Sequence, residues 1–349
     1  MSATAELGLL STTVVGSYPQ PDWLINRAGL EKVPRVRVQE AWRIGADDLK
    51  AAQDDATIVA IHEQERAGLD IVTDGEMRRE SYSNHFSNAL SGIDEEPGLV
   101  EIVVDGQPRE VAVPSFTGEV TRRAPVELDN ARFLLAHTNR IAKVTLPGPF
   151  TMSRQAVTSY YDSPEELSLA LAAAVNAELR DLFAAGVDIV QLDEPWMERF
   201  PEEARRYGVP VLRRALEGID GRVALHICFG YAAAVSDKPS AYHFLDELED
   251  TSLDHVLIEA AQPRLDLSTL AATLPSKRLG VGVLDLADPL VESPQIVAER
   301  IERALEVVPP ERLMVGPDCG MKFLPAATAF GKLRALVEGA EMVRDRLTG

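Results

Sequence analysis

With 349 residues, 46% of them hydrophobic and 26% charged, the chain has the makeup of a soluble globular protein with room for a large core. A net charge of -20 argues against nucleic acid and anionic membrane as partners, because both demand a basic face. Two cysteines cannot build a disulfide framework, no apolar run approaches the ~18 residues of a membrane span, and the first residues lack the pattern of a secretory signal, so the expected location is the cytoplasm.

Short, β-branched apolar runs ending in Gly, Pro, Asp or Cys recur along the chain. The first, "STTVVGSYP" near residue 11, is followed by an irregular excursion over 18–38. A helical pattern over 39–68 leads into "LDIVTDGE" at 69. Residues 92–127 then read as a β-hairpin turning at "DGQ", ahead of "AKVTLPGP" at 142. The stretch 163–186 opens with Ser, Pro and two acids and closes on Gly, which marks a helix from start to stop. The runs "VDIVQLDEP" at 187, "RVALHICFG" at 222, "DHVLIEAAQP" at 254, "RLGVGVLDLADP" at 278 and "RLMVGPDCG" at 312 bring the total to eight. Helical patterns over 293–309 and 325–347 flank the last of them. Continuous apolar runs suit strands covered on both faces of a parallel sheet. Eight strand–helix alternations predict a single α/β unit over 1–349, a (β/α)8 TIM barrel with the two excursions (18–38 and 92–127) as insertions over its mouth. A doubly wound open sheet shares this periodicity and is the competing architecture.

Residues two apart in a strand point the same way, so His226 and Cys228 face together, at the strand end where barrel active sites are built. Cys319 ends the eighth run and Glu259 the sixth. Three strand ends thus offer one imidazole, two thiolates and one carboxylate to a common point, a donor set that suits tetrahedral Zn²⁺. Each residue also has a plainer use: a buried Cys as a small hydrophobe, a His as a satisfied core residue, Glu259 as a helix cap. Trp196, after "DEP", is placed to wall a donor pocket; core or loop packing is the simpler expectation for it and for Trp23 and Trp42.

In order along the chain, "STTVVGSYPQP", "DGEMRRE", "LPGPFTM", "VQLDEPWM", "HIC", "LIEAAQPR", "GVGVLDL" and "VGPDCGMK" resemble the motifs of the catalytic half of the cobalamin-independent methionine synthase family. The resemblance spans nearly the whole chain. It implies a (β/α)8 barrel, zinc on His226, Cys228, Glu259 and Cys319, and a thiol methyltransferase. The metal would keep the substrate sulfur as the attacking thiolate, with Glu259 as the ligand that leaves when sulfur arrives. It further implies that homocysteine is held by the backbone of Val15, Gly16 and Ser17 and by the acids Glu76 and Asp193. Read without the resemblance, Asp193 and Glu194 serve equally as caps of the following helix, and Glu76 as a partner of Arg78 or Arg79.

On the donor side the chain departs from the family. Arg154 stands near the place of a tryptophan that stacks on folate, and Ala287 stands where a proton-donating histidine is found, leaving Asp285 as the substitute acid. The additional N-terminal barrel of full-length members, which helps bind polyglutamylated folate, is expected to be absent. The donor is therefore either a methyl-folate or a methylcorrinoid delivered by a separate protein, whose cobalt leaves without protonation. Competing readings are a related zinc alkyltransferase acting on another thiol (coenzyme M-type alkyl or epoxide transfer), a non-catalytic zinc-stabilised barrel that binds amino acids, and a zinc-free decarboxylase of the uroporphyrinogen type.

Overall fold

The strands follow the eight apolar runs. The structure, a computed structural model, describes residues 6–26, 42–81, 84–104, 107–231, 235 and 238–349. β1 (Ser11–Thr12) and β2 (Ile71–Val72) precede β3 (Gly98–Val104), β4 (Gln107–Val113) and β5 (Ser115–Phe116). β6 (Ile141–Pro147), β7 (Val157–Thr158), β8 (Ile189–Asp193) and β9 (Arg222–Ile227) come next, then β10 (His255–Ile258), β11 (Arg278–Leu284) and β12 (Leu313–Pro317). Eight of these, all parallel, lie in the order β1-β12-β11-β10-β9-β8-β6-β2. A parallel bridge from Thr13 to Ile71 brings the two ends of that row together. The sheet is a (β/α)8 barrel and not an open doubly wound sheet.

Local signals set the surrounding helices. Ser163 caps the helix Pro164–Ala184 by accepting the Glu166 N–H at 3.2 Å, and Ser293 caps Pro294–Leu305 by accepting the Ile296 N–H at 3.3 Å. The pattern over 39–68 forms a shorter helix than expected, Ala46–Ala67. Ahead of it Trp42 is drawn into an antiparallel bridge with Ile25, and Gly45 sits extended at the N-cap. Residues 39–41, like 27–38 of the first excursion, lie outside the described residues. The hairpin is as expected: β3 and β4 pair antiparallel from Gly98–Val113 to Val104–Gln107, with residues 105 and 106 outside the described ones. It packs against β7, where Gly98 lies so close to Val157 that a Cβ there would collide with its side chain. Among the described residues, no helix is long and apolar enough to cross a membrane.

Along the barrel interior the inward positions change character. Ile71, Ile189, Ala224, Leu257 and Met314 form a separate apolar cluster near the strand starts. Two residues further on, Gln191 lies on β8 and His226 on β9; Asp193, Cys228 and Glu259 follow at the strand ends. Buried Lys143 on β6 ties this middle layer together. Its ammonium donates to the Val14 carbonyl and to Gln191 Oε1 (2.9 Å), and Gln191 Nε2 donates to Asp193 Oδ1 at 2.7 Å.

Candidate metal and substrate site

Strand register sets the first two candidate ligands and their neighbours. His226 pairs laterally with Asp193 on one side and with Leu257 on the other. Cys228 and Glu259 therefore leave their strands at the same level, each one residue past the last ladder pair, Ile227–Ile258. Cys319 arrives from the turn after β12. Its Sγ lies 3.5 Å from that of Cys228, and with His226 the three ligand atoms fall within 4.8 Å of one another.

The two cysteines are free thiols, far beyond disulfide bonding distance. Two sulfurs bound at ~2.3 Å to one tetrahedral ion would stand about 3.8 Å apart, close to the spacing seen. All three residues are buried, and among the described residues neither ring nitrogen of His226 has a hydrogen-bond partner with good geometry. A buried imidazole with both nitrogens unsatisfied is costly unless something else fills one position. The donor set and its geometry fit a metal ion.

Electrostatics agree. The Cys319 thiol, hydrogen-bonded to Cys228, holds the Cys228 pKa well below the usual range, and Cys319 is itself pushed well above it. Burial opposes charge on His226, but Cys228 and Asp193 outweigh it and raise the ring's pKa. Glu259, fully buried, does not join the three-residue group: its Oε1 is ion-paired with Lys238 and its Oε2 accepts the Phe229 N–H at 3.0 Å. Burial, reinforced by Cys228 and Asp318, pushes its pKa up to about 8 against the pull of Lys238.

The residues expected to hold substrate gather on the neighbouring strand ends. Gly16 is gripped by Thr73, whose hydroxyl donates to its carbonyl at 2.8 Å, and a Cβ at Gly16 would stand 2.6 Å from Glu76 Oε1. Only glycine lets that carboxylate lie against the backbone. Ser17 is buried with its hydroxyl unpartnered among the described residues, and its carbonyl accepts the Met321 N–H at 2.9 Å, tying this loop to the one carrying Cys319. Val15 is likewise buried. Glu76 has a left-handed backbone (φ 59°), and an Asx-type bond from its N–H to Asp74 Oδ1 (2.9 Å) supports the turn.

Two plainer uses considered for the acids are resolved by contacts. Glu76 accepts from Thr145 Oγ1 at 2.9 Å, with Arg79 at 3.8 Å; Arg79 sits closer to Glu127 (3.1 Å), and Arg78 pairs with Asp54 (2.6 Å). Glu194 is the capping acid, but of the helix Pro149–Arg154, accepting the Phe150 and Thr151 N–H groups at 3.0 and 2.7 Å. Asp193 caps nothing. It turns inward to Gln191, and burial pushes its pKa up to about 7, with Glu76 adding to the rise and His226 opposing it.

Asp285 stands at the end of β11, where its Oδ1 accepts the Ala287 N–H at 2.8 Å. Arg154 lies over the Phe200 ring, 4.0 Å from its centroid, and Phe200 stacks on Trp196. Trp42 and Trp196 are partly buried against the core, whereas Trp23 is 48% exposed. Several contributors escape a reading of the sequence: Lys143, Lys238 and Asp318, which accepts three backbone N–H groups from Ala260, Ala261 and Gln262 just after Glu259. The available signal was a charged residue beside a site residue ("PDC") or alone in an apolar run ("IAKVTL").

Comparison with known proteins follows from this geometry. Residues 10–342 match the model of the cobalamin-independent synthase catalytic domain. The chain is 34% identical to a methionine synthase of Thermococcus kodakarensis, covering 98% of this chain and 96% of that one. It is 32% identical to a methionine synthase of Sulfurisphaera tokodaii, over 98% and 95%. Among solved structures, a B12-independent methionine synthase from Shewanella sp. W3-18-1, in complex with selenomethionine, superposes with a TM-score of 0.88 at 32% identity, covering 97% and 99%. This chain belongs to the cobalamin-independent synthase catalytic-domain family, and it is a methyltransferase.

Proposed function

We propose that this methyltransferase acts on the thiol of homocysteine to form methionine, with Zn²⁺ held by His226, Cys228, Glu259 and Cys319. The observation that carries the reading is the buried cluster of His226, Cys228 and Cys319, with two sulfurs near tetrahedral spacing and an imidazole whose nitrogens have no well-aligned hydrogen-bond partner among the described residues. The similarity to methionine synthases, one of them solved with selenomethionine, supports the choice of substrate. When bound, zinc supplies a Lewis acid that keeps a thiol as thiolate near neutral pH.

The chain's own residues bind and orient. The backbone of Val15, Gly16 and Ser17 meets the amino-acid carboxylate, with the unpartnered Ser17 hydroxyl at hand. Glu76 and Asp193 meet the ammonium, whose positive charge offsets the burial that pushes the Asp193 pKa up. Lys143, through Gln191, fixes Asp193 while it holds the Val14 carbonyl, so both halves of the amino-acid pocket share one support. The same pair of acids disfavours a sulfonate thiol, which would call for cations.

A methylcorrinoid on a separate carrier suits the donor side better than a methyl-folate. Ala287 offers no acid, and the Asp285 carboxylate is already engaged by the Ala287 N–H. We take residues 1–349 as one catalytic unit, acting in the cytoplasm in methionine biosynthesis. The test is a donor screen on metal-analysed protein: homocysteine with methylcobalamin, methyltetrahydrofolate or a simple alkyl donor, scored by methionine formed. Zinc near one equivalent and methionine from at least one donor are expected. Zinc-free protein, or transfer only to a different thiol, overturns the reading.

A further inference from the structure

Lys238 has no part in the function proposed above, yet it makes the closest contact to Glu259. It lies on the loop between β9 and β10 with its side chain only 2% exposed. Its ammonium donates to Glu259 Oε1 and, at 2.8 Å, to the Gly230 carbonyl. The other carboxylate oxygen accepts the Phe229 N–H at 3.0 Å. Both oxygens of a fully buried carboxylate are thus satisfied away from the cluster of His226, Cys228 and Cys319.

The backbone of Glu259 is pinned separately. The Tyr242 hydroxyl accepts the Glu259 N–H at 2.9 Å and donates to the Ile227 carbonyl at 3.0 Å. The other acid next to this turn, Asp318, is spent on three backbone N–H groups. Freedom at this position belongs to the Glu259 side chain alone, and the partner it has in this structure is a buried ammonium.

We propose that Lys238 is a positioning residue that receives the Glu259 carboxylate when the substrate thiol takes its place at the metal. This rests on the zinc and thiol reading above. In the exchange the metal–oxygen bond of Glu259 breaks, a metal–sulfur bond forms, and the thiol proton passes to water. Departure of the carboxylate offsets the charge brought by the thiolate, and the carboxylate lands on an ammonium instead of being stranded in a low-dielectric interior. Lys238 thereby lowers the cost of freeing the fourth position.

The test uses the full-length zinc protein and its Lys238→Met, Lys238→Gln and Lys238→Arg variants. Zinc X-ray absorption during a homocysteine titration reports the exchange, as one oxygen or nitrogen neighbour gives way to a third sulfur. In Lys238→Met the midpoint should rise at least about tenfold, with zinc released to a chromophoric chelator more slowly because Glu259 stays on the metal. Lys238→Arg should follow the wild type in both measurements. Lys238→Gln, which keeps a donor without the charge, should follow Lys238→Met and carries the test if that variant does not fold. A wild-type midpoint and release rate in the uncharged variants, or faster zinc loss from them, overturns the proposal. If the wild-type spectrum itself is unmoved by homocysteine, the thiol reading has failed and the proposal falls with it.

Discussion

The two ends of the barrel are built from the same strands, yet they have opposite interiors. Near the strand starts Ile189, Ala224 and Leu257 belong to a small apolar plug; two to four positions later the same inward rows present Asp193, His226, Cys228 and Glu259. Between them Lys143 and Gln191 hold hydrogen bonds to both the first loop and Asp193. The contrast shows a division of labour. The apolar end contributes burial energy that depends on volume, so it tolerates no function. The polar end gathers groups that are individually unfavourable to bury and become useful only when a ligand completes them.

If the division holds, damage to each end should leave the other intact. The largest effect is expected for Cys228→Ser or Cys319→Ser: zinc lost by metal analysis and methyl transfer reduced on the order of a thousandfold or more. Far-UV circular dichroism should be unchanged in both. Chelation of the wild type should likewise abolish activity with only a small shift in melting temperature; global unfolding would show that the cluster is structural. At the opposite end, Ile189→Ala should cost about 2–5 kcal/mol of stability by denaturant unfolding, with zinc stoichiometry unchanged.

Asp193 and Glu194 sharpen the comparison within two residues. Asp193→Asn should raise the KM for homocysteine about tenfold or more while zinc content and folding stay as in the wild type. Glu194→Gln should do the reverse: it loses one of two N–H contacts at the helix Pro149–Arg154, costing about 1–3 kcal/mol of stability with little change in KM. Equal effects on KM would show that the pair is not divided as its contacts indicate.

The smallest expected effect lies at the rim of the polar end. His85 stands between Glu80 (3.6 Å) and Glu127 (3.7 Å); burial opposes its charge, but these two acids raise its pKa above the ordinary value. A raised histidine pKa stabilises the fold fully below about pH 6.5, and the contribution fades as pH climbs through the folded value. The urea midpoint of the wild type should therefore exceed that of His85→Asn at pH 6, with the gap closing by pH 8.5. A constant gap would mean that His85 acts through packing alone.

Much of this was legible from local pattern. The eight runs, the hairpin and the Ser caps at 163 and 293 rest on contacts within a few residues, where spacing and side-chain chemistry act directly. The same holds for His226 and Cys228, because strand alternation is a property of the backbone. The first long helix starts later than its periodicity predicts, since Trp42 answers to Ile25 across the chain and not to its neighbours.

Closure of the barrel settled the remainder. Alternation counted from Met314 turns Asp318, and not Cys319, toward the interior; the turn after Pro317 is what returns the thiol to within 3.5 Å of Cys228. Asp193 could not be told from Glu194, nor could the Lys238–Glu259 pair be foreseen, because those bonds join separate loops whose meeting depends on ladder register and on the curvature of eight strands. Periodicity along a chain encodes which face a residue takes. It does not encode which distant residue that face will meet, and the chemistry proposed for this methyltransferase depends on such meetings.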